Sequence, residues 1–159
     1  MKQYYLILVV CFIALTTNAQ IIDFPDANFK AKLLAANPSN TIASNGALSY
    51  IKIDANNDNQ IDVSEALQIT TLNVSIADIY DLTGIEYFTN LRTLNCKQNH
   101  ITALNVSTLI SLKTLLCSLN LLTTLDLTGL TQLNTLECAE NTLTQINFAN
   151  ATNLQSLIC

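Results

Sequence analysis

From Leu91 onward the apolar positions recur on a fixed grid. Set in rows, the chain reads LRTLNCKQNHITALNVSTLIS from Leu91, LKTLLCSLNLLTTLDLTGLTQ from Leu112, LNTLECAENTLTQINFANATN from Leu133 and LQSLIC from Leu154, a period of 21 residues. The row before them, ITTLNVSIADIYDLTGIEYFTN from Ile69, is a looser 22-residue copy with Val74 in the cysteine column. Columns four and six are apolar, and columns three, five and seven are mostly polar. This alternation predicts a short strand, because successive side chains along a strand point to opposite faces. Leu94, Cys96, Leu115, Cys117, Leu136 and Cys138 then share one face. A single row cannot bury that face, whereas stacked rows form a continuous core, so the grid predicts a solenoid with one short parallel strand per repeat.

Each row opens LxxLxCxxNx(I/L), which resembles the leucine-rich repeat signature with Cys in the sixth column, where Leu is commoner. Asn99, Asn120 and Asn141 fill column nine. There the chain must turn inside a nearly dry interior, and an Asn side chain can satisfy the backbone groups left unpaired by the turn. Stacking would bring Cys96, Cys117, Cys138 and Cys159 to about 4.8 Å from one another. That spacing is within disulfide range, but in-register parallel neighbours point their Cβ atoms the same way, which suits a disulfide dihedral poorly. The preferred reading is a column of buried free thiols acting as small hydrophobes, with one or more disulfides as the alternative and a thiolate metal row as a third. His100 lies at the turn while Cys96 faces the core, so the two do not form a nucleophile pair.

Residues 20–68 have a different composition, and the repeats create the need for them: a solenoid's first repeat exposes an apolar end that a cap must cover. FPDANFKAKLLAA, from Phe24 to Ala36, starts with Pro25 and Asp26 in helix-start positions and spaces Phe29, Leu33 and Leu34 as an apolar stripe ended by Asn37 and Pro38. NPSNTIASNGALSY reads as loop. DANNDNQIDVSE, from Asp54 to Glu65, then follows the order of an EF-hand loop. Asp54, Asn56 and Asp58 take positions one, three and five, Gln60 position seven through its carbonyl, Asp62 position nine and Glu65 position twelve. Hard oxygen donors without His or Cys select calcium over zinc or copper. Asn59 replaces the usual Gly at position six, where a left-handed backbone is required. Asn tolerates that conformation better than other non-glycine residues, so the site is expected to be weakened and not abolished, with an unmetalled Asx-rich turn as the alternative.

Composition narrows the function. The chain of 159 residues is 50% hydrophobic and only 12% charged, with a formal charge of −5. Residues 1–19 carry Lys2, the apolar run YYLILVVCFIAL and the small-residue exit Thr17-Asn18-Ala19, the pattern of a cleavable signal peptide. Cleavage would remove Cys11 and Lys2, shifting the charge from −5 to −6. An acidic exported chain without a basic cluster argues against nucleic acid, and nothing after residue 19 reads as a transmembrane segment. No GxSxG, HExxH or phosphate loop occurs, and three glycines leave little scope for one. An enzyme is not expected.

The leader, FPDANFKAKLL, DANNDNQIDVSEA, the join DLTGIEYFTNLRTL and the LxCxxN rows together resemble exported bacterial leucine-rich repeat proteins of the internalin-like group. The resemblance implies a right-handed α/β repeat solenoid over residues 69–159 with a small helical N-terminal cap over 20–68. It also implies a secreted or cell-surface location and a binding role. The 21-residue period and the cysteine column depart from typical internalins. The expected binding surface is the concave face of the strands, made by Thr93, Asn95, Lys97, Thr114, Leu116, Ser118, Thr135, Glu137 and Ala139. This uncommitted, hydroxyl-rich surface suits a protein or a polysaccharide. Lys97 and Glu137 are expected to be solvated ends on it. The alternative is a structural or display scaffold for a C-terminal anchoring or catalytic domain. The last repeat is incomplete at Cys159, so a partial sequence is expected, with a short chain capped by self-association at that edge as the alternative.

Overall fold

The computed structural model describes residues 19–46 and 49–159. The leader expected over 1–19 therefore lies, apart from Ala19, outside the described residues. Among the described residues, no helix is long and apolar enough to cross a membrane.

Each repeat contributes a three-residue strand whose central leucine points inward. Strand β1 (Ala43–Ser44) comes from the cap, and β2 (Thr71–Asn73), β3 (Thr93–Asn95), β4 (Thr114–Leu116), β6 (Thr135–Glu137) and β8 (Ser156–Ile158) come from the repeats. They form one six-stranded sheet in the order β1-β2-β3-β4-β6-β8. From β2 onward the strands are parallel and in register, pairing Leu72 with Leu94, Leu94 with Leu115, Leu115 with Leu136 and Leu136 with Leu157. The expected solenoid is therefore present, and its register follows the 21-residue grid. The return halves of two repeats add a second parallel pair, β5 (Thr124–Asp126) with β7 (Gln145–Asn147), which the grid did not single out.

The core is built from columns. Leu91, Leu112 and Leu133, then Ile101 and Leu122, then Val106 and Leu127, are all fully or almost fully buried. Each turn thus places an aliphatic side chain over the equivalent aliphatic side chain of the turn before it. Burying such a side chain contributes about 1.5–3 kcal/mol, gained only when the next turn stacks on.

Helix α1 (Ala27–Leu34) closes one end of the stack. It buries Phe29 and Leu33, with Leu34 partly buried against the core, as its apolar spacing predicted. Phe24 and Phe29 meet edge to face with ring centroids 5.4 Å apart. The Phe24 ring also packs on Gly84, where a Cβ would sit 2.6 Å from it; with φ at 103°, this position accepts only glycine without strain. Part of the segment read as loop instead forms β1, which pairs antiparallel with β2 through Ala43 and Leu72. That two-residue strand covers the edge that the first repeat would otherwise leave open.

Candidate binding face and cap loop

The solvent face of the six-stranded sheet is ordered in columns. Thr71, Thr93, Thr114, Thr135 and Ser156 pair in register, giving an unbroken row of hydroxyls across five strands. Beside it run Asn73, Asn95, Leu116, Glu137 and Ile158. Thr93, Asn95, Thr114, Leu116, Thr135 and Glu137 are half-buried and face outward as expected. Lys97 and Ala139 lie at the same level, also half-buried. Ser118 differs: it is only 6% exposed and belongs to the interior of the turn. Its column is where the strand begins to bend toward the asparagine turn, so the strict alternation of a strand no longer applies there. Lys97 and Glu137 are not separate solvated ends, because the Lys97 ammonium donates to the Glu137 carboxylate at 2.7 Å. The pair reaches across β4 and neutralises the face's two charges against each other. Side-chain exposures of 34% and 26% leave it well screened, so its contribution to stability is small.

Behind the face the asparagines stitch neighbouring turns. The Asn120 side-chain amide donates to the Cys96 and Cys117 carbonyls at 3.0 and 3.1 Å, and its oxygen accepts from the Ile101 amide at 3.1 Å. Asn99 repeats this with the Val74 and Cys96 carbonyls and the Ala77 and Ile79 amides. Asn141 repeats it with the Cys117 and Cys138 carbonyls and the Leu122 amide. Every such side chain therefore joins its own turn to the preceding one. The thiols of Cys96, Cys117 and Cys138 are buried and free, and that of Cys159 is free and exposed. Burial pushes the Cys96 thiol up to about 12 and Cys138 to about 11, and raises Cys117 as well, so none of these is a nucleophile at neutral pH.

In the cap, Asp54 is almost fully buried and Glu65 is 8% exposed, whereas Asn56, Asp58 and Gln60 face solvent and Asp62 is half-buried. The loop is wound on its own amides. The Asp58 amide donates to Asn56 Oδ1 at 2.9 Å and Asp54 Oδ1 at 3.2 Å, and the Gln60 amide donates to Asp58 Oδ1 at 2.8 Å. Asn59 has φ at 62°, the left-handed conformation that the sixth position requires. Short helix α2 (Val63–Ala66) opens with a capping box: Asp62 accepts from the Glu65 amide and Glu65 Oε2 from the Asp62 amide. The Ser64 hydroxyl, with the Glu65 and Ser64 amides, outweighs the effect of burial and holds Asp62 below the usual carboxylate range. Glu65 Oε1 takes the Ala55 amide at 2.7 Å. Among the described residues no three His, Cys, Asp or Glu side chains stand together as a metal-holding group. Lys52, unnoticed in the sequence because it precedes the loop, sets its ammonium 3.4 Å from Asp54 Oδ2 and also donates to Asn57.

Asp26 was legible only as a helix start. Its Oδ1 accepts the Asn28 and Phe29 amides of α1, both at 2.9 Å. Its Oδ2 accepts the amides of Tyr80 at 2.7 Å and Asp81 at 3.1 Å. One carboxylate thus caps the helix and clamps it to the first repeat. Partial burial pushes its pKa up, but the amides of Tyr80, Phe29, Asp81 and Asn28 together outweigh that and hold it below the usual range.

No family model and no curated protein matches the chain. Among solved structures, it is similar to the functional domain of InlJ from Listeria monocytogenes, which is described as including a cysteine ladder. That match is 29% identical with a TM-score of 0.62, covering 89% of this chain and 33% of that one. It is also similar to the internalin InlF from Listeria monocytogenes, 23% identical with a TM-score of 0.61, covering 90% of this chain and 46% of that one. The chain thus spans a third and just under half of these two proteins. With its parallel strands, stacked leucine columns and asparagine turns, the chain has an internalin-like leucine-rich repeat fold.

Proposed function

We propose that the chain is a non-catalytic binding module, secreted or displayed at the cell surface, that contacts a protein or glycan through the concave face of its strands. The observation that carries this reading is the register. Five strands present threonine or serine in one row and asparagine, leucine, glutamate and isoleucine in the next, on a surface the core does not need. The chemistry of that face also argues against catalysis: the Lys97–Glu137 pair is internally satisfied, and the thiols behind it are buried with raised pKa values. The reading is tested on arrays of extracellular proteins and of polysaccharides, probed with the wild-type chain and with Asn95→Ala, Leu116→Ala and Glu137→Ala combined. Capture that the triple variant loses supports the face, and equal capture by both removes it.

We propose further that the cap loop takes a structural calcium ion, whose binding would have to draw together carboxylates that do not stand as a metal-holding group here. Asp54, Asn56, Asp58, Asp62 and Glu65 supply hard oxygens, and Gln60 a carbonyl, in the order that such an ion takes. The left-handed Asn59 is compatible with that order. Bound calcium would cross-link the loop to α2 and neutralise its carboxylates. Lys52 already supplies one positive charge to Asp54, so calcium would compete with an internal cation.

A further inference from the structure

The turn that follows each strand has a backbone requirement that four residues meet. Ile76, Gln98, Leu119 and Glu140 occupy the same column, with φ of 52°, 56°, 59° and 53°. Their amides continue the ladder beyond the strands, from Ile76 to the Lys97 carbonyl at 3.1 Å, Gln98 to Ser118 at 3.0 Å and Leu119 to Ala139 at 2.9 Å. They therefore form one continuous edge beside the sheet face. Left-handed φ favours Gly or Asn, and a β-branched residue there is a genuine outlier. Ile76 and Leu119 are nevertheless apolar, and they are 69% and 39% exposed. Neither backbone conformation nor core packing accounts for their side chains. Exposed Gln98 separates Ile76 from Leu119, so the strip is apolar only in part; on the same turns Leu121 is 47% exposed, and Tyr80, 60% exposed, stacks on His100 with ring centroids 4.9 Å apart. The stacking holds the tyrosine ring in place, so it would lose little entropy on being covered.

We propose that this turn edge is a docking surface, distinct from the sheet face, for a partner-protein segment whose apolar side chains are flanked by lysine or arginine. Exposed apolar surface that the fold does not demand marks interaction sites, and strain retained at an exposed position points the same way. Charge decides the partner's rim. Exposed Asp78 and Glu140 flank the strip, and Asp78 lies 3.6 Å from His100. Of the two nearby ammonium groups, Lys97 is neutralised by Glu137, whereas Lys32 donates to the neutral Ser75 carbonyl and keeps its charge, so Asp78 and Glu140 leave the rim acidic by one charge.

The test uses the double variant Ile76→Asn with Leu119→Asn, because Asn suits left-handed φ while removing the apolar surface. The probes are a labelled synthetic peptide of alternating leucine and lysine and its leucine–glutamate counterpart, followed by fluorescence anisotropy. The wild type is expected to bind the lysine peptide and not the glutamate peptide. The double variant is expected to bind the lysine peptide at least roughly tenfold more weakly, with a thermal midpoint equal to or above wild type. Asn95→Ala combined with Leu116→Ala, which keeps the Lys97–Glu137 pair intact, is expected to bind it like wild type, which separates this edge from the sheet face. Equal peptide binding by wild type and double variant overturns the proposal, since attraction to an acidic protein then suffices. A fall in the double variant's midpoint overturns it because the side chains then serve the fold. Dimerisation in sedimentation that the double variant abolishes assigns the edge to a second copy instead and likewise overturns it.

Discussion

Replacing Asn120 by Ala tests the asparagine ladder at its most enclosed rung, 5% exposed. The structure sets the size of the effect. The Cys96 and Cys117 carbonyls that Asn120 serves retain a second amide donor each, from Asn99 and Asn141 respectively. The Ile101 amide has no such reserve, because its hydrogen bond goes to Asn120 Oδ1. The loss is therefore one buried unsatisfied N–H at about 1–3 kcal/mol, plus two lost hydrogen bonds at about 0.5–1.5 kcal/mol each. Together these give a destabilisation of about 2–6 kcal/mol, read as a lower denaturation midpoint at unchanged slope in urea. On heating, it corresponds to a fall on the order of 10 °C. Asn120→Asp separates the two halves of the argument. Its oxygens still accept from Ile101, but an ionised carboxylate faces the carbonyls that the amide served, so it should be less stable than wild type at pH 7. Burial among carbonyls raises that carboxyl's pKa in the folded state, so the variant's stability is present at low pH and is lost as pH rises through the folded value. An alanine variant within about 0.5 kcal/mol of wild type, or an aspartate variant with no pH dependence beyond that of wild type, refutes the ladder's role.

Other predictions follow from the cap and the thiols. Asp26→Ala removes two helix-capping and two clamping hydrogen bonds and should cost about 2–3 kcal/mol in urea unfolding. Because the folded pKa of Asp26 is depressed, its contribution is present above the unfolded value and is lost as pH falls through the folded one, so the alanine variant should show a shallower acid slope. Free calcium at about ten times its dissociation constant should add about 1.4 kcal/mol to stability relative to chelator. Glu65→Gln should remove that shift and Asn59→Gly should enlarge it; the same melting curve in calcium and in chelator excludes the ion. An aromatic-disulfide thiol assay on the reduced native protein should titrate Cys159 quickly, with Cys96, Cys117 and Cys138 reacting only on unfolding. Fast reaction of a second thiol contradicts the burial of the column.

The repeat half was legible because periodicity encodes it directly. A 21-residue grid sets which leucine sits over which, and the observed pairs Leu94 with Leu115 and Leu115 with Leu136 are the grid itself. The asparagine turns were legible for the same reason, since a dry turn needs a short side chain that both donates and accepts. The cap was read only in part. Helix α1 and its apolar stripe are local features, but the Asp26 clamp reaches residues 54 and 55 positions away, and no local pattern announces it. Strand β1 is two residues long, below the length at which alternation can be recognised. Ser118 was placed outward because a strict period of two was extended past the strand's end into the turn. The turn edge escaped notice for a different reason: Ile76 and Leu119 look like ordinary core residues in sequence, and only their φ angles and exposure mark them as unexplained.

The central claim, that the strand face is where this module binds, is tested most directly by hydroxyl-radical footprinting of the wild-type chain with and without the first ligand captured on an array. Leu116, half-buried at the centre of that face, should lose most of its oxidation when the ligand is bound, while Phe148, outside it, should oxidise as before. Unchanged oxidation of Leu116 in the saturated complex contradicts the account.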